Sequence, residues 1–104
     1  MRKLNITPFS VKGDKEPGLM DKGIEVILFN NPNFRLSSKE LRVACRVMDA
    51  IDKALFERKD SAILEESDFV FLNRALSKFE GFTRADRIFV ERIEDAPEIE
   101  VKEA

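Results

Sequence analysis

Three segments between Ser37 and Ala96 repeat apolar residues at spacings of three and four, each begun by a capping or acidic first turn. That period belongs to amphipathic helices, and it constrains this chain more than any single motif does. Their apolar stripes must be buried, and together they can make one core.

The first of them begins at Ser37-Ser38-Lys39-Glu40, a capping-box pattern in which the Ser37 hydroxyl accepts from the Glu40 amide and the Glu40 carboxylate accepts from the Ser37 amide. Leu41, Ala44, Met48, Ile51 and Leu55 follow as a stripe that Cys45, Val47 and Ala54 widen, and burial of this face is expected. Arg42 and Arg46, followed by Asp49 and Asp52, have the spacing of exposed ion pairs along the helix. The second helix opens on Glu65, Glu66 and Asp68, acids that suit the positive end of a helix dipole. It runs to about Phe79 with Phe69, Leu72, Ala75, Leu76 and Phe79 as its stripe. Gly81 suits the break after it. A third helix, Thr83 to about Asp95, carries a second capping pattern at Thr83 and Asp86 and turns Ala85, Ile88, Phe89 and Ile93 inward.

The first third of the chain reads differently. Leu4 and Ile6 alternate with polar neighbours as in a short strand, and Ala62-Ile63-Leu64 offers it a partner; two such strands need a helical layer beneath them. Val11 to Gly23 gathers turn signals and reads as a loop or frayed hairpin. Asp21 to Asn30 fits either a short helix with Asp21 as its N-cap or a strand through Ile24, Val26 and Leu28; the helix is the preferred reading. Asn30-Asn31-Pro32-Asn33 ends it as a turn. The expected fold is therefore α+β and mainly helical: three amphipathic helices, one short helix and a small two-stranded β ribbon. Residues 1–96 form one domain, and residues 97–104 a charged, mobile tail.

Composition limits function. The chain has no His, Tyr or Trp and one Cys, so zinc sites and the usual nucleophile–base pairs lack their residues. Asp49 with Asp52, and Glu91 with Glu94 and Asp95, are carboxylate groupings that a hard cation or acid–base chemistry would use, but at helical spacing they read as solvated faces. No catalytic residue, metal or cofactor is called for, and the protein is expected not to be an enzyme. Cys45 reads as a buried, inert thiol and fits a reducing compartment. The first residues lack the apolar stretch of a signal peptide, and no run suits a bilayer, so a cytoplasmic protein is expected.

Charge is uneven. Residues 1–60 carry twelve Lys/Arg against nine Asp/Glu, and residues 61–104 carry six against eleven. A dipolar chain of this kind is suited to head-to-tail association with its own copies or to presenting an acidic end to a basic partner. Val70, Phe71 and Val90 stand beside their stripes, while Phe34 and Phe82 fall in turns. If one small core leaves them uncovered, Phe34, Val70, Phe71, Phe82 and Val90 are the candidate interface. The expected partner is a protein, a homo-oligomer first, with no membrane and no small-molecule substrate implied. The alternative is a small DNA-binding regulator with a helix-turn-helix at 66–95. Nucleic acid is disfavoured because Arg84, Arg87 and Arg92 are countered by Asp86, Glu91, Glu94 and Asp95.

Leu4-x-Ile6, a Gly-containing turn, Leu28-Phe29-Asn30, Leu36-Ser37-Ser38-Lys39-Glu40-Leu41 and Ile63-Leu64-Glu65-Glu66 leading into Phe69 to Phe79 form an order. It resembles small accessory proteins of tailed phages and prophages. The resemblance spans most of the chain and implies a non-enzymatic protein of virion assembly or host takeover. It assigns no role to any individual residue.

Overall fold

A tight reversal after the longest helix organises the architecture. The computed structural model describes residues 1–10 and 16–100. Its elements are strand β1 (Arg2–Asn5), helices α1 (Met20–Phe29) and α2 (Ser38–Phe56), strand β2 (Ser61–Leu64), helix α3 (Glu66–Lys78), a 3-10 turn (Arg84–Asp86) and helix α4 (Arg87–Glu94). The fold is α+β and mainly helical.

The capping box at Ser37 and Glu40 is formed, with both reciprocal hydrogen bonds present. At the other end, Arg58 has φ 58°, the left-handed region. Its amide donates to the Leu55 carbonyl at 3.0 Å, and the Lys59 amide donates to the Ala54 carbonyl at 2.9 Å. This pair of bonds is a Schellman ending with arginine where glycine is usual. It satisfies two of the last helical carbonyls and returns the chain as β2, which lies against α2. β2 pairs antiparallel with β1 in the register Arg2↔Leu64, Lys3↔Ile63, Leu4↔Ala62 and Asn5↔Ser61. The N-terminal segment and the short apolar run Ala62-Ile63-Leu64 are thus partners, as expected. Leu4, Ala62 and Leu64 are buried on the helical side, while Lys3 and Ile63 face out.

The tail departs from expectation. The Lys3 amide donates to the Pro97 carbonyl at 2.9 Å, the Ile99 amide donates to the Met1 carbonyl at 2.8 Å, and Arg2 and Glu98 form an antiparallel bridge. Residues 97–99 therefore dock along the second edge of β1 rather than starting a mobile tail, because that edge offers amides and carbonyls that otherwise lack partners. Residues 101–104 lie outside the described residues. So do residues 11–15 of the expected loop, whose ends close as a bridge between Phe9 and Gly18.

Residues 20–29 are helical, not extended. The helix begins at Met20, one residue before the expected cap; Leu19 occupies the N-cap position and Asp21 sits in the first turn. After it, buried Asn31 donates through Nδ2 to the Ala75 carbonyl at 3.1 Å and accepts from the Asn33 amide at 3.0 Å, which ties the turn to α3. The third predicted helix is shorter than its pattern. Thr83 and Asp86 hold the 3-10 turn, with the Thr83 amide donating to Asp86 at 2.8 Å, and α4 starts only at Arg87.

The core runs through all four helices and the ribbon, with Leu4, Met20, Ile24, Ile27, Leu28, Val47, Ile51, Leu64, Leu72 and Ile93 almost fully enclosed. Two glycines fit against aromatic rings. A Cβ at Gly23 would lie 2.5 Å from the Phe89 ring, and one at Gly18 would lie 2.4 Å from the Phe9 ring. Phe9, Phe89, Phe82 and Phe79 form a chain of rings with centroid spacings of 6.5, 6.3 and 4.8 Å.

Candidate functional site

The expected interface residues do not form one surface. Phe34 and Phe71 are buried against each other, edge to face with centroids 5.3 Å apart, and the Arg74 guanidinium covers both rings. Their burial removes them from any exposed patch; the turn at 31–34 folds inward because Asn31 anchors it. Phe82 and Val90 are half-buried and pack on the core, with Phe82 closing the ring chain. Val70 alone of the five is well exposed, at 57%.

A different surface is uncovered. On α2 the buried residues are Ala44, Val47, Ile51 and Ala54, so the stripe lies rotated from the expected line through Leu41 and Leu55. That face packs on β2, α1 and α3. Two ion pairs join α2 to α3: Arg46 holds the buried Asp68 carboxylate through two nitrogens, at 2.9 and 2.5 Å, and Arg74 holds Glu40 at 2.7 Å. Both lie on the Val43 and Val47 side of α2. The opposite flank is left to solvent: Leu41 is 46% exposed, Leu55 37% and Phe56 90%. Cys45, expected to be buried, is exposed on the same flank.

At about 100° per residue, Leu41, Cys45, Met48, Asp52 and Leu55 fall along one line, alternating spacings of four and three, with Phe56 beside its end. Met48 is half-buried at the inner margin. The Schellman ending fixes where Phe56 stands, on the last helical residue before the chain turns. Enclosing a phenylalanine side chain is worth about 1.5–3 kcal/mol, and the isolated fold leaves this gain unused. Sequence reasoning passed over Phe56. Its signal was present, since a large apolar residue one step past Leu55 is out of phase with the buried stripe.

Several charges beside the line make no ion pair among the described residues. Arg46 pairs across to α3 rather than along its own helix, and among the described residues Arg42, Asp49, Asp52 and Lys53 make no ion pair. The shifted carboxylates lie elsewhere. Glu40 is held below its ordinary range by the Ser37 amide and hydroxyl, and Glu57 and Glu66 are lowered by hydrogen bonds from Lys59 and Arg2. Arg46 is raised by its bond to Asp68. These groups stabilise caps and ion pairs and are not gathered around a shared cleft.

Open grooves offer little chemistry. One, about 370 Å³, is lined by Phe9, Leu19, Val26, Phe79, Phe82 and Phe89, with Asp86 at its edge. Another, about 510 Å³, lies by the ribbon with Lys3, Asp60 and Ser61 among its residues. Among the described residues no three His, Cys, Asp or Glu side chains are grouped to hold a metal ion. No helix there is long and apolar enough to cross a membrane. No family model, curated protein or solved structure matches the chain.

Proposed function

We propose that this is a non-enzymatic interaction and assembly protein that self-associates through the uncovered flank of α2. The observation that carries the reading is Phe56, 90% exposed at the end of a line that also leaves Leu41 and Leu55 in water. Scattered apolar residues are ordinary on a surface, but a line of them along one helix has the form of a contact seam. A place among phage or prophage accessory proteins is part of the same proposal, supported by the order of sequence segments and by an assembly role that needs no catalytic group.

The rival reading as a DNA-binding regulator has weaker support. On α4, Arg92 turns inward to the Thr7 carbonyl and the Phe9 ring and is not free for phosphates, and Arg87 has its charge countered by Glu91. Light scattering on wild type and Phe56→Ser tests the interaction reading. Wild type should exceed the monomer mass, and the variant should fall to it with helical content unchanged. A variant that keeps the wild-type mass removes the flank from the interface, and a wild type that stays monomeric at every concentration refutes self-association.

A further inference from the structure

Resting on that reading, we infer that the flank of α2 is covered by the α2 of a second copy, packed antiparallel about a two-fold axis, with Arg42 of each chain against Asp52 of the other. The line Leu41, Cys45, Met48, Asp52, Leu55 has the four–three spacing of a two-helix seam. It also reads similarly from either end. With Arg42 level with the partner's Asp52, Leu41 lies within a helical turn of the partner's Leu55 and Phe56, and Cys45 and Met48 meet their counterparts at the centre.

Charge selects the direction. Beside the seam, the first half of the flank carries Arg42, and the second half carries Asp49 and Asp52. In a parallel pair Asp52, on the seam line, would meet its own copy, while the two Arg42 side chains would lie on opposite sides of the seam. Antiparallel packing replaces that repulsion with an attraction by bringing Arg42 to the partner's acidic end, and two-fold pairs are the commonest closed assemblies. Among the described residues Arg42, Asp49 and Asp52 make no ion pair within the single chain, which suits them to that contact. Lys53 lies further round the helix, outside the seam. The nineteen residues of α2 span about 28 Å, so the contact is small and its association depends on concentration.

Sedimentation of wild type, Arg42→Asp, Asp52→Arg and an equimolar mixture of the two variants tests the pairing. Each variant alone places like charges together twice per dimer and should weaken association by roughly tenfold or more. The mixture joins opposite charges at both positions and should recover nearly wild-type affinity. Both residues are exposed, and circular dichroism verifies that each variant is folded. Variants that associate like wild type, or a mixture that fails to recover, overturn the antiparallel pairing. If Phe56→Ser still dissociates the wild-type assembly in that case, the flank reading survives; a wild type monomeric throughout removes both.

Discussion

Gly23→Ala sets two known effects against each other at one atom. Gly23 lies inside α1, where alanine gains about 1 kcal/mol in helix propensity. The added methyl would lie 2.5 Å from Cε2 and 2.8 Å from Cζ of Phe89. Carbon atoms prefer about 3.5–4.0 Å, so ring and helix must separate by about 1 Å. Phe89 is only 5% exposed and has Phe9 and Phe82 as ring neighbours, which limits its retreat. Overpacking of this kind costs about 1–3 kcal/mol, and the net expectation is a loss of about 1 kcal/mol. Urea unfolding followed by far-ultraviolet circular dichroism measures it, since the chain has no Trp or Tyr to report by fluorescence. The control is Phe89→Leu, whose shorter side chain vacates the contact; in that background Gly23→Ala should become neutral or stabilising. Stabilisation by about 1 kcal/mol in the wild-type background, or an equal cost in both backgrounds, would refute the close approach of α1 to α4.

Arg58→Gly should raise stability by about 0.5–1 kcal/mol in the same assay, because the left-handed C′ position strains any side chain with a Cβ; a loss would mean that the Arg58 side chain contributes more than its backbone costs. Stability should also fall in acid. Glu40, Glu57 and Glu66 have folded-state values below their unfolded ones, so their contributions are complete above the ordinary carboxylate range and vanish as pH drops through the lowered values. Glu40→Gln should reduce that acid-dependent loss, and an unchanged pH profile would exclude the cap as a source of it.

Local signals made most of the architecture legible. Ser37 and Glu40 mark the start of α2, Pro32 and its neighbouring asparagines mark the turn before it, and the alternation at Leu4 and Ile6 with the apolar run Ala62-Ile63-Leu64 identifies the ribbon partners. Each depends on residues close in sequence or on a period that only one element satisfies. The interface was less legible because burial is decided between elements. Periodicity made Leu41 and Leu55 part of the buried stripe, but packing on β2, α1 and α3 encloses Ala44, Val47, Ile51 and Ala54, with the bonds from Arg46 to Asp68 and from Arg74 to Glu40 on the α3 side. Nothing near Arg46 in sequence distinguishes Asp68 from the closer Asp49 as its partner. The same long-range choice exposed Cys45 and left Phe34 and Phe71 inside, where an aromatic in a turn or beside a stripe had suggested the surface.

Cys45 turns the central claim into one measurement, because the only thiol of the chain lies within the α2 seam. The rate at which a chromogenic disulfide reagent modifies Cys45 in the native protein is followed across protein concentrations from dilute to several hundred micromolar. The thiol should react rapidly in dilute solution without unfolding, and its rate should fall progressively as the protein is concentrated and the seam is covered. A rate independent of concentration would contradict coverage by a second copy, and a thiol that reacts only after denaturation would contradict the open flank itself.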